Sequence, residues 1–88
     1  MEWAAGLKKM LDIALEKNVP AMMRAEAKRS FIEEAEHHAE DRGADSVGVE
    51  DLMYIAYQVT PPDKVAVMEQ TYRDLGVDVD KYRAGASS

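Results

Sequence analysis

The sequence predicts a small all-α domain, a bundle of four helices built around a long central helix. Apolar residues make up 47% of its 88 residues, but aromatic residues only 7%. Alanine, leucine, valine and methionine carry this apolar content, and they favour helix over sheet. Apolar side chains also recur at helical spacing in segments that end at proline or glycine, which is the pattern of short packed helices.

The first helix is expected over residues 2–17. One face of this segment collects apolar residues, while most charged residues lie on the other sides. Pro20 separates this helix from the next, because proline disfavours helical geometry at the preceding residue, Val19, and suits the first turn of a new helix. The apolar face consists of Trp3, Leu7, Met10, Leu11 and Ala14.

The second helix is the long central one and should run from about residue 20 to residue 42. Its expected buried stripe consists mostly of small residues, which let neighbouring helices approach closely. Gly43 supplies the left-handed conformation that commonly ends a helix. The stripe consists of Ala21, Ala25, Ile32, Ala35 and Ala39, with Phe31 beside it.

The third and fourth helices follow a short extended segment, residues 47–49. Gly48 suits the N-cap of the third helix, whose dipole favours Glu50 and Asp51 in its first turn. Residues 60–63 end that helix, and the fourth continues to Leu75. We expect one domain over residues 1–83, with a terminal turn at 77–83, no internal repeat, and a disordered tail over residues 84–88.

Charge and composition narrow the classes of function. The net charge is −6, and residues 33–52 alone carry −7, which opposes general binding to nucleic acid and favours a protein partner. The absence of cysteine excludes disulfides, thiolate ligands and cysteine nucleophiles. No apolar run reaches the roughly 20 residues that cross a bilayer, and the N-terminus lacks the apolar core of a signal peptide. We therefore expect a cytoplasmic protein without membrane contact.

Candidate catalytic and metal-binding groups are sparse. Glu34 and His37 have the Glu-x-x-His spacing of di-metal carboxylate bundles, but such sites need two motifs and further glutamates. We therefore expect a solvated polar face without metal or cofactor, and for His38 a structural pairing with Glu34 or Arg42. Carboxylate pairs such as Glu33 with Glu34 and Asp78 with Asp80 lack a sheltered pocket that would shift their pKa values, so no enzyme activity is expected.

The candidate binding residues lie at the start of the second helix. Methionine adapts to imperfectly matched partners, and arginine pairs with carboxylates. These residues either pack as an ordinary helix start on Trp3 and Leu7 or bind an acidic partner or an anionic tetrapyrrole. We call them the docking patch: Met22, Met23, Arg24, Lys28 and Arg29.

Several of these helix-boundary features together resemble the small C-terminal domain of the light-independent protochlorophyllide reductase B subunit. They are Trp3, Val19-Pro20, Arg24, the helix end from Glu36 to Gly43, and Val47-Gly48-Val49-Glu50. This chain departs from the family in about one extra helical turn between Arg24 and Glu36, and in Gly48, where threonine is usual.

The resemblance implies a family-like core over residues 1–59 and a helical extension over residues 60–83. In the large enzyme, iron–sulfur ligation and most substrate contacts belong to other domains. The resemblance therefore implies a non-catalytic accessory module that docks on a larger protein, such as a reductase or another iron–sulfur protein.

Residues 24–56 also resemble the second half of a histone fold, in which a long alanine-rich helix reaches a glycine and then Val-x-x-Glu-Asp-Leu. The net charge of −6 argues against DNA wrapping but leaves a histone-like homodimer open. A small tetrapyrrole-binding protein is the third alternative.

Overall fold

The computed structural model describes residues 1–87, with the side chains of residues 1–83. The predicted all-α fold class is confirmed, and a fifth helix stands where only a terminal turn was expected. A disordered tail was expected over residues 84–88, but the backbone of residues 84–87 continues helix α5, and residue 88 lies outside the described residues. In the described chain the order is β1 (Glu2–Trp3), α1 (Leu7–Asn18), α2 (Arg24–Asp41), β2 (Ser46–Val47), α3 (Val49–Val59), α4 (Val65–Asp74) and α5 (Val79–Ser87).

The start of the chain is a strand, and the prediction of a helix from residue 2 was wrong. Strand β1 pairs in parallel with β2, with Trp3 opposite Val47, and α1 begins only at Leu7. Gly6 before it has a φ of 78°, in the left-handed region that glycine adopts without strain. The partner strand lies more than 40 residues away, so the local apolar spacing around Trp3 carries no sign of it.

The order of the elements recurs along the chain, although the sequence shows no repeat. A strand, a helix, a proline-containing connection, a 3₁₀ turn and a second helix occur first in residues 2–41 and again in residues 46–74. Pro20 and Pro61 have nearly equal backbone angles, with φ −56° and ψ 145° against φ −59° and ψ 148°. The 3₁₀ turns, Ala21–Met23 and Pro62–Lys64, begin 41 residues apart. The two halves therefore share backbone conformations at equivalent positions, but few of these positions carry the same amino acid.

The buried stripe of α2 is shifted from the expected one. It runs through Phe31, Ala35 and Ala39, every fourth residue, whereas Ala21 and Ala25 are exposed. Ala21 belongs to the 3₁₀ turn before α2, and Ala25 lies in its first turn. The small residues at the centre of the helix nevertheless allow the close approach of neighbouring helices that the sequence predicts.

One buried carboxylate holds the turn between α2 and α3. The side chain of Asp51 is fully buried and accepts hydrogen bonds from Arg42 Nε at 2.8 Å and Nη2 at 2.7 Å. It also accepts the backbone N–H of Gly48, the N-cap residue of α3, at 2.9 Å. Asp51 therefore caps the start of α3 and fixes Arg42, the residue that follows α2. Gly48 is at the N-cap, as the sequence predicts.

The hydrogen bonds to Asp51 also keep it ionised. Burial alone raises its pKa, but the hydrogen bonds from Arg42, from the Gly48 N–H and from His38 outweigh burial and lower the pKa to about 2. The carboxylate is therefore charged throughout the physiological pH range.

The C-terminal helices close the core. Met68 and Tyr72 of α4 and Val79 of α5 are buried in the same apolar cluster as α1, α2 and α3. Tyr57 Oη donates a hydrogen bond to Glu69 Oε2 at 2.6 Å, and Arg83 Nε donates to the same oxygen at 2.6 Å. The hydrogen bond from Arg83 lowers the pKa of Glu69. This buried carboxylate joins α3, α4 and α5.

Replacing Asp51 should destabilise the fold strongly. In D51A the cap of α3 and the two Arg42 hydrogen bonds are lost together, and we expect the free energy of unfolding to fall by about 2–4 kcal/mol. Urea unfolding followed by circular dichroism measures this change. The matched control is D45A in the same turn, where the exposed side chain should matter by less than about 0.5 kcal/mol. Equal effects of the two substitutions would contradict the role given to Asp51.

The stability that Asp51 contributes should depend on acid pH. Its folded pKa of about 2 lies below the unfolded value of about 3.9. The contribution is therefore complete above about pH 5 and is lost as the pH falls toward 2, by roughly 2 kcal/mol in all. We expect the difference in unfolding free energy between the wild type and D51N to shrink between pH 6 and pH 2. A difference that stays constant with pH would show that Asp51 has the same pKa in the folded and the unfolded protein, and would contradict this prediction.

Candidate functional site

An apolar groove of about 450 Å³ opens at the end of the domain where the two proline connections meet. The ends of α1 and α3 and the beginnings of α2 and α4 form its walls. Its floor consists of buried side chains, so an occupant would rest on the hydrophobic core itself. The floor residues are Leu15, Phe31, Ile55, Met68 and Tyr72.

The groove lies between the two halves of the recurring architecture. Most of its lining residues occur in pairs 41 positions apart, one from each half. Three alanines, Ala14, Ala27 and Ala56, stand in these pairs, and such short side chains leave space that larger ones would fill. The pairs are Ala14 with Ile55, Leu15 with Ala56, Asn18 with Val59, Val19 with Thr60, Met23 with Lys64, Ala27 with Met68, and Phe31 with Tyr72.

Apolar side chains also surround the mouth of the groove. Met23, Val59 and Val67 line it and are 58%, 58% and 59% exposed. Met22, the neighbour of Met23 in the chain, is 91% exposed. Single exposed apolar residues are ordinary on protein surfaces, but apolar residues grouped around a groove are typical of a binding site.

The polar side chains that line the groove differ in their partners. Inside it, the Asn18 side-chain amide donates hydrogen bonds to the Ala14 carbonyl oxygen at 2.8 Å and to Thr71 Oγ1 at 3.3 Å. Among the described residues no buried side-chain nitrogen or oxygen lacks a partner. At its edge, Lys17 and Lys64 are exposed, and neither forms an ion pair with any side chain in residues 1–83. The Asn18 amide is thus hydrogen-bonded within the protein, while the two lysines keep positive charge available at the rim.

The titratable residues of the lining are Lys17, Lys64, Glu34 and Tyr72. Burial raises the pKa of Tyr72, so its phenol stays neutral. The two lysines and the glutamate can attract or repel charge at the rim. The lining therefore offers apolar contact to a bound molecule, and its charged rim can select that molecule by charge.

The structure separates the methionines of the docking patch from its basic residues. Met23 lines the groove, and Met22 is exposed beside it in the chain. Met22 is 91% exposed and Met23 58% exposed, so neither is buried against Trp3 and Leu7. Trp3 Nε1 instead donates a hydrogen bond to Glu36 Oε2 at 2.9 Å.

The basic residues of the docking patch, Arg24, Lys28 and Arg29, contact their own chain. Arg24 donates from Nε to the Val19 carbonyl oxygen at 2.8 Å and from Nη2 to the Glu16 carbonyl oxygen at 2.9 Å. Lys28 Nζ lies 2.8 Å from Asp12 Oδ1 of α1. Arg29 is exposed and 3.8 Å from Glu26. Two of the three therefore join α1 to the connection and to α2, and the prediction that they bind a partner stays untested.

The two histidines have different surroundings. His37 is exposed, as expected, and 3.8 Å from Asp41. His38 was expected beside Glu34 or Arg42, but its Nδ1 lies 2.6 Å from Asp51 Oδ1, and its ring stacks on Tyr54 at 4.1 Å. Sequence analysis missed this cluster. The available signal was Asp51 at the third position of a helix whose N-cap, glycine, has no side chain to offer.

No set of three histidine, aspartate or glutamate side chains in residues 1–83 is arranged to hold a metal ion. No helix in the described part of the chain has both the length and the apolar character to cross a bilayer. Comparisons with protein-family models, with curated proteins and with solved structures find no match to this chain. The resemblances to the reductase domain and to the histone fold therefore rest on the residues quoted for them.

Arg24 should contribute to stability through the two carbonyl groups that it contacts. In R24A these groups at the end of α1 lose their charged donor, and we expect the free energy of unfolding to fall by about 1–2 kcal/mol. R29A is the matched control, because Arg29 has only a long exposed ion pair and should contribute less than about 0.5 kcal/mol. Urea unfolding of both variants distinguishes the two roles. A larger loss in R29A would contradict this assignment.

Proposed function

We propose that this protein is a non-catalytic binding module that docks on a larger protein through the groove. The observation that supports this proposal best is the apolar groove of about 450 Å³ with three apolar side chains more than half exposed at its mouth. Covering such a surface is favourable in water, and filled pockets at the centre of an interface supply much of its binding energy. A partner side chain placed on the floor would contact Phe31 and Tyr72.

The resemblance to the reductase C-terminal domain directs the choice of partner. In that family the domain accompanies a large iron–sulfur enzyme. We propose a cytoplasmic reductase or another iron–sulfur protein as the first class of partner to test. The docking patch contributes Met23 to the groove and Met22 beside it.

A histone-like homodimer receives less support. Two histone-fold chains share one core, so each needs the other to complete it. Here Met68, Tyr72 and Val79 of the C-terminal helices lie in the same core as α1, α2 and α3. Completion of the core therefore does not require a second copy.

Position-specific crosslinking in the source cell tests the proposal. A benzophenone amino acid at position 67 stands at the mouth of the groove, whereas one at position 66 stands on the same helix outside the lining. We expect a discrete adduct with one larger protein from position 67, none from position 66, and loss of the adduct when V59E is added. Mass spectrometry of the adduct identifies the partner.

The purified partner should then bind wild type about 10–100-fold more tightly than V67E, since the substitution puts a charge where the partner would cover the exposed valine. A66E, which adds the same charge to the same helix, should bind like wild type. Equal adducts from positions 66 and 67, or equal weakening by V67E and A66E, would overturn the proposal.

A further inference from the structure

We infer that the occupant of the groove is an amphipathic α-helix of the partner, with acidic side chains beside its apolar stripe. This inference rests on the proposed function and adds the conformation and the charge of the docking segment.

The conformation follows from the backbone of the groove. Its walls include the ends of α1 and α3, where several carbonyl groups are already used: Leu15 accepts the Val19 N–H, Ala56 accepts the Thr60 N–H, and Glu16 accepts from Arg24. A helix end leaves at most a few free carbonyl groups, not the row of alternating donors and acceptors with which an extended segment pairs. An extended segment laid in the groove would bury backbone N–H and C=O groups without partners, which is costly. A helix satisfies its own backbone and presents only side chains. Apolar side chains at i, i+3 or i+4, and i+7 then enter such a groove together.

The shape of the apolar surface also favours a helix over a compact small molecule. Small-molecule sites combine an apolar cavity with a few polar groups that orient the ligand. The Asn18 side chain, which lines the groove, already donates to Thr71 Oγ1 at 3.3 Å and to the Ala14 carbonyl oxygen at 2.8 Å. The apolar surface continues outward to Val59 and Val67 at the mouth. An occupant that covers it must therefore be wider than the cavity, as a helix lying across the mouth is.

The charge of the helix follows from the lysines at the rim. The chain has 17 acidic and 11 basic residues, so carboxylates are abundant. Lys17 and Lys64 nevertheless form no ion pair within residues 1–83, whereas Lys28 is paired with Asp12. Both rim lysines are available to carboxylates of a bound helix, and their positive potential attracts such a helix toward the groove. Glu34, the one acidic lining residue, disfavours acidic side chains of the bound helix on its own side of the groove.

Selection of helical peptides on the immobilised full-length protein tests this inference. The library displays peptides of roughly 16 residues, long enough to be helical, with random residues on all faces. We expect the enriched peptides to carry an apolar stripe with aspartate or glutamate beside it. In fluorescence anisotropy, K17E/K64E should weaken their binding about tenfold. The control K9E/K81E has the same net charge change and should leave affinity within about threefold.

The outcomes separate this inference from the proposed function. Enriched peptides that are neutral or basic, or equal weakening by the two double variants, would overturn the acidic helix. If V67E still weakens the binding of those peptides and A66E does not, the proposal that the groove is the docking site stands. Enriched peptides that bind V67E as tightly as wild type, or no enrichment at all, would overturn both proposals. Weaker binding of the acidic peptides at about 0.5 M salt would agree with exposed ion pairs at the rim.

Discussion

The fold depends on the buried carboxylate of Asp51. This group caps α3 through the Gly48 N–H and holds Arg42 immediately after α2, so it determines how the chain reverses between its two halves. The reversal places β2 beside β1 and lets the end of α3 meet the start of α2. Those two helix ends are walls of the groove. A residue with no contact to the groove therefore sets the relative position of the elements that form it.

The groove leaves one end of the hydrophobic core open to water. An apolar cavity open to water costs stability, because its walls lack the contacts that a filled core would have. Ala14, Ala27 and Ala56 could in principle be larger, and filling this space would add buried area in the manner of many stabilising substitutions. The two small buried carboxylate clusters, around Asp51 and Glu69, hold the helices together at other places. The domain can thus keep its open end without losing the arrangement around it.

Local patterns in the sequence predict the helical class and most helix ends, because proline and glycine act on neighbouring residues. Gly48 at an N-cap and the break at Pro20 are examples. Pairing over distance is not contained in such patterns. Trp3 has helical spacing to Leu7, yet its strand partner is Val47, and Arg24 was interpreted as a binding residue although it contacts the end of α1. The groove was beyond sequence analysis for a related reason: no single residue encodes it, since it is the space between two halves whose equivalent positions carry different side chains.

The paired lining residues of the two halves differ from each other, so the two sides of the groove are not equivalent. Two halves with identical side chains at the paired positions would offer a helix the same contacts from both sides of the groove. In this chain Met23 stands where the other half has Lys64, and Ala27 where it has Met68. Because one continuous polypeptide carries both halves, each position can change independently of its counterpart. A groove whose two sides carry different side chains can therefore distinguish the N-to-C polarity of a helix placed in it.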